Sequence, residues 1–114
     1  MEQKTNLCPR LMAVAGAVVP GQSAADVGLD HALLSFYLLQ NRIVRRVVGI
    51  ELSDGPYLRA KEAISASPWE HQIDLRQGDG LVPLLPGEVE NIIIAGIGGD
   101  NIAGIIKIIH GFGN

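Results

Sequence analysis

Ser23-Ala24-Ala25-Asp26-Val27-Gly28-Leu29-Asp30-His31 is the stretch whose reading decides the fold. A short apolar run ends in Asp26-Val27-Gly28, as a buried strand does where it opens into a turn, and Asp30 is suited to cap a following helix. Working outward, residues 9–18 read as a helix: Pro9 suits its first position, and Leu11, Val14, Ala15 and Val18 share a face. Downstream, residues 30–40 read as a helix and 47–51 as a second strand. Residues 56–66 follow as a helix opened by Pro56, then 72–76 as a third strand, a short helix, and 91–95 as a fourth strand. Residues 96–99 form a glycine-rich turn. Residues 101–110 read as a helix with Ile102, Ile105, Ile106 and Ile109 in one stripe. Strands alternating with helices, apolar on both faces, imply a parallel sheet covered on both sides. With right-handed crossovers the expectation is an α/β, Rossmann-like half with about four strands.

Composition sets the outer limits. A chain of 114 residues corresponds to one domain, here 1–114. Hydrophobic residues at 47% and charged residues at 18% are a globular composition, not a disordered one. A net charge of −3 excludes a strongly basic nucleic-acid clamp, though not a local basic patch. Arg42, Arg45 and Arg46 read as a solvated cluster before an RNA contact. The lone Cys8 excludes an internal disulfide, and no metal site is expected. Leu11 to Val19 follows Arg10 as the core of a secretory leader would, but Glu2 is out of place in one and the run leads directly into the first strand. No stretch approaches the ~18–20 apolar residues of a membrane span, so no membrane contact and a cytoplasmic location are expected.

Chemistry in such a sheet belongs beyond the carboxyl ends of the strands. Four turns leave those ends: Asp26 to His31, Glu51 to Pro56, Gly78-Asp79-Gly80 and Gly96-Ile97-Gly98-Gly99. Three of them carry acids. A pyrophosphate wants amides and positive charge there, whereas ribose hydroxyls, an amino group and a sulfonium want acceptors. S-adenosylmethionine (SAM) fits the second set. Glu51 is placed to accept from both ribose hydroxyls and Asp79 from the adenine amino group. Gly28 allows close backbone approach. Asp26 could fix the first loop or accept from the methionine ammonium, and Gly96 to Gly99 would wall the reactive methyl. Each feature alone has an ordinary explanation: Asp30 as a helix cap, His31 as a surface residue, Gly78-Asp79-Gly80 as a turn, Glu51 as a solvated strand end. Their succession at consecutive strand ends is what points to a site.

These motifs together resemble the bacterial tRNA (adenine-22-N1)-methyltransferases, a class I SAM-dependent family. The resemblance rests on Arg10-Leu11, Ala25-Asp26-Val27-Gly28-x-Asp30-His31-Ala32, and Glu51 with Asp54-Gly55-Pro56. It extends through Ala60-Lys61, Arg76-Gln77-Gly78-Asp79-Gly80-Leu81 and Ile94-Ala95-Gly96-x-Gly98-Gly99. It implies a cofactor site of Asp26, Gly28, Asp30, His31, Glu51, Asp79, Gly80 and Gly96. It also implies a reaction site of Asp30, Gly96, Gly98 and Gly99 facing an adenine of tRNA whose N1 accepts the methyl. The chain departs from the family at Leu29, where a small hydroxyl residue is usual, at Leu33 and Ser35, which replace Tyr and Pro, and at Ile97, which replaces Met.

The family's sheet has more strands than the four read here, for which the resemblance implies the order 3-2-1-4 in a truncated class I methyltransferase sheet. Ile92 to Ile94 would therefore lie on an open apolar edge, a surface for self-association or a partner strand. Two other functions stay open beside the cofactor half of an RNA methyltransferase: a truncated non-catalytic remnant or associating subunit, and a small-molecule methyltransferase. A nicotinamide dehydrogenase is disfavoured, because the first loop lacks the glycines that cradle pyrophosphate.

Overall fold

In the computed structural model, the described residues are 8–28, 32–94 and 107–110. The elements are α1 (Pro9–Ala17), β1 (Ser23–Val27), α2 (Leu33–Gln40), β2 (Arg46–Glu51), α3 (Asp54–Ser65), β3 (Ile73–Gln77), β4 (Asn91–Ile94) and β5 (Lys107–His110). They build one sheet in the order β3-β2-β1-β4-β5. β1 to β4 run parallel in the expected 3-2-1-4 order, and β5 joins β4 antiparallel.

The alternation of each strand sorts its side chains onto two faces. Ala24, Val47, Ile73 and Ile93 point to one face, where α1 contributes Val14 and Ala15 and its C-cap Val18, α2 contributes Leu34, Leu38 and Leu39, and α3 contributes Ala60 and Ile64. Ala25, Val27, Val48, Ile50 and Ile92 point to the other, covered by Leu84 and Val89 of the segment between β3 and β4. Among the described residues, then, helices cover one face only, and a looped segment covers the other. The short helix expected in that segment does not form. Residues 78–90 make successive turns instead, such as Val82 N–H to Asp79 O at 3.0 Å and Glu88 N–H to Leu85 O at 3.1 Å. Pro83 and Pro86 lack the N–H donors that a helix needs, and Gly78, Gly80 and Gly87 favour turns.

Two further expectations are corrected. The helix read over 101–110 gives way, at 107–110, to strand β5; its earlier residues lie outside those described. An isoleucine-rich run supplies the helical stripe and high strand propensity at once, and the free edge of β4 decides in favour of pairing. The apolar edge at Ile92 to Ile94 is accordingly not open. Ile92 pairs with Ile109, Ile93 with Ile108 and Ile94 with Lys107. That pairing removes the stated basis for a partner strand there.

At the amino-terminal rim, fully buried Asn91 ties the α1–β1 connection to β4. Its Oδ1 accepts from Val19 N–H at 3.1 Å, and its Nδ2 donates to Val19 O at 3.0 Å.

Candidate functional site

Parallel strands in register end at one rim, and backbone hydrogen bonds carry that register past the last strand residues. Val27 pairs with Ile50 and Glu51 pairs with Gln77. Beyond them, Gly28 N–H donates to Ile50 O at 2.8 Å, and Gly78 N–H donates to Glu51 O at 2.9 Å. Gly28, Glu51 and Gly78 are thus laced side by side, with exposed Asp79 next in the chain. The structure therefore brings Glu51 and Asp79 to the same rim, on adjacent strand ends.

Two glycines leave room there. Gly28 has φ +76° and Gly80 φ +58°, and a Cβ at either would meet nothing within 4 Å. Both are conformations that only glycine adopts without strain, and both present bare backbone to whatever occupies the rim. Glu51, the last residue of β2, is 8% exposed, and Asp26 is 2% exposed. Asp26 pairs with Gly49, so Glu51 lies two residues further along on the same face. Burial pushes the Asp26 carboxyl up to about 6; the hydroxyl of Ser35 opposes the shift, and the charge of Glu51 adds to it. Ser35 Oγ donates to Asp26 Oδ2 at 2.8 Å.

The loop after β2 is also held. Gln77 Nε2 donates to Leu52 O at 3.2 Å and to Asp54 Oδ1 at 2.7 Å. Nearby, Arg76 anchors the segment after β3 by donating to Pro83 O at 2.8 Å and to Glu88 Oε1 at 2.9 Å. The same guanidinium holds the Glu88 carboxyl down to about 2. Arg45 and Arg46 are exposed at the start of β2, the opposite rim, where Arg46 Nη2 donates to Glu88 O at 3.4 Å. Asp30, His31, Gly96, Gly98 and Gly99 lie outside the described residues.

Of the residues singled out from the sequence, Asp26, Gly28, Glu51, Asp79 and Gly80 lie at or beside this rim, and Ser35 and Gln77, which the sequence reading gave no such role, support it. A lone serine in the apolar run Leu33 to Leu39 was a usable signal for Ser35, because a buried hydroxyl needs a partner. Gln77 stands within the motif Arg76 to Leu81 that carries the resemblance, but no role was read for it. Chemically, Asp26, Glu51, Asp54 and Asp79 make the described rim acidic. It suits hydroxyl, amino and cationic groups and repels pyrophosphate.

A parallel 3-2-1-4 sheet with an acidic carboxyl rim is the Rossmann-like α/β fold of class I methyltransferases. Residues 7–111 match the family described as a methyltransferase domain, and the chain belongs to that family. It is 41% identical over 101 residues to the tRNA (adenine(22)-N(1))-methyltransferase of Bacillus subtilis (strain 168). That alignment takes in 89% of this chain and 42% of the relative, so the chain spans less than half the relative's length. The crystal structure of the B. subtilis M1A22 tRNA methyltransferase superposes with a TM-score of 0.74 at 37% identity, over 78% of this chain and 38% of that one. A Streptococcus pneumoniae structure, described as a putative tRNA (m1A22) methyltransferase in complex with S-adenosyl-L-methionine, gives a TM-score of 0.76 at 33% identity. There the match covers 86% of this chain and 46% of that one.

Proposed function

We propose that residues 1–114 are a single, partial SAM-binding domain, the cofactor half of an enzyme that methylates N1 of an adenine in tRNA. The observation that carries this reading is the juxtaposition of Glu51, Gly28 and Asp79 at one rim of a chain 41% identical to a tRNA (adenine(22)-N(1))-methyltransferase. SAM, when bound, supplies an electrophilic methyl group. The chain's own residues do the holding. Glu51 accepts from the two ribose hydroxyls, and Asp79 accepts from the adenine amino group. Gly28 and Gly80 let backbone lie against the ligand, and buried Asp26 offers an acceptor to the methionine ammonium. By the resemblance, Asp30, His31 and Gly96 belong to the cofactor set, and Asp30, Gly96, Gly98 and Gly99 to the reaction site; all of them lie outside the described residues. Such a site works by orientation, because methyl transfer needs the acceptor nitrogen in line. tRNA is the partner, and the cytoplasm is the place of action. No described helix is long and apolar enough to cross a membrane.

Calorimetric titration of the purified chain with SAM tests the cofactor half of the reading. Saturable binding is expected; absence of heat from a folded chain would contradict it. Labelled methyl transfer to total tRNA, compared with transfer to a metabolite pool, tests the substrate half. The isolated chain is expected to bind SAM without robust methylation, and any transfer it does catalyse is expected to go to tRNA.

A further inference from the structure

Asp26 has unequal neighbours. Its register partners are Gly49 on β2 and Ile93 on β4, neither of them charged. From the same face of β2, Glu51 brings like charge. From α2, fully buried Ser35 directs its hydroxyl at Asp26 Oδ2 from 2.8 Å. The inner face of α2 is otherwise built of Leu34, Phe36, Leu38 and Leu39, where a hydroxyl has no packing advantage over a methyl group.

We propose that Ser35 is a positioning residue for this site: its hydroxyl holds the Asp26 carboxylate in one orientation and in its ionised form. A cationic or N–H-bearing part of the cofactor then meets a fixed acceptor. The inference rests on the reading of this rim as a SAM site and deepens it. Burial and Glu51 both drive the carboxyl toward its neutral form, and Ser35 works against them. Without that hydroxyl, Asp26 loses charge in the neutral pH range while its shape is unchanged. A purely structural serine would affect stability and the Asp26 titration, and leave the pH dependence of cofactor binding in place.

The test follows the Asp26 carboxyl by carbon-13 NMR in the unliganded chain, and S-adenosylhomocysteine (SAH) affinity as a function of pH. Both are compared between the wild-type chain, Ser35→Ala and Ser35→Thr. Ser35→Ala is expected to raise the Asp26 midpoint by about one pH unit and to move the acid limb of SAH binding by the same amount. Well above the midpoint, affinity is expected to recover only in part and to stay several-fold weaker, since the ionised form is then restored without the hydroxyl that fixes its orientation. Ser35→Thr is expected to return both profiles toward wild type. An unmoved Asp26 midpoint in folded Ser35→Ala overturns the proposal. A moved midpoint with an unmoved SAH profile overturns it too, and leaves the SAM-site reading standing. Failure of the wild-type chain to bind SAH at any pH overturns both. Should Ser35→Ala not fold, Ser35→Cys provides the same comparison, with a weaker donor and a shift of the same sign.

Discussion

Asp26 shows what one buried side chain imposes on the whole chain. Its folded carboxyl is raised from 3.8 to about 6, so between those values the folded state holds a proton that the unfolded state has released. Stability contributed by the protonated form is therefore present at low pH and is lost as pH rises through about 6, by about 2–3 kcal/mol. Asp26→Asn is expected to abolish this slope and to be the more stable form at pH 7, as urea midpoints across the range would reveal. A wild-type stability that is flat or rising over that interval would contradict the account. Glu88 acts with the opposite sign at lower pH: its pairing with Arg76 stabilises above the ordinary carboxylate range and fades as pH falls through about 2. At the rim itself, Glu51→Ala is expected to weaken SAM binding roughly tenfold or more, through loss of a charged acceptor. Unchanged affinity would refute its assignment to the ribose. Asp26 and Glu51 are legible in the sequence because an acid at the end of an apolar run marks a strand end, and Asp79 because Gly78-Asp79-Gly80 reads as the turn after an alternating strand. Ser35 and Gln77 are not, since their roles depend on partners set by the packing of α2 on β1 and of β3 beside β2.

The elements themselves follow from local signals, with instructive exceptions. α2 ends in a Schellman motif: Ile43 N–H donates to Leu38 O at 2.9 Å and Arg42 N–H to Leu39 O at 3.1 Å, with Arg42 at φ 56°. Glycine is the usual residue at that left-handed position. Arg42→Gly is therefore expected to stabilise the chain by about 0.5–1 kcal/mol, as thermal melts would show; destabilisation would contradict this. The arginine that sequence reading placed in a solvated cluster is exposed as expected, and its backbone is what shapes the turn. α1, β1 and β2 were legible to within a residue because caps, periodicity and apolar runs agree. Residues 107–110 were not, because isoleucine spacing satisfies helix and strand alike and only the neighbouring edge separates them.

For the molecule as a whole, the parallel α/β sheet was legible from alternation and crossover handedness and its strand order from the resemblance, whereas the covering of its edge was not. β5 occupies the edge of β4, and the apolar side chains of Ile92 and Ile93 are completely buried. Ile108→Pro with Ile109→Pro removes ladder donors along β5. The double variant is expected to lose amide protection on β4 and to associate in a concentration-dependent way in sedimentation, as exposed strand edges do. Retained protection and unchanged sedimentation would contradict the pairing.

We propose that the carboxyl ends of β1, β2 and β3 form one cradle for an adenosyl group. Titration of the isotope-labelled chain with SAH, followed through backbone amide resonances, tests it most directly. Shifts concentrated at Gly28, Leu52, Gly78, Asp79 and Gly80, saturating together, are the expected result. Shifts confined to the opposite rim around Arg45 and Asn91, or no shifts from a folded chain, would contradict it.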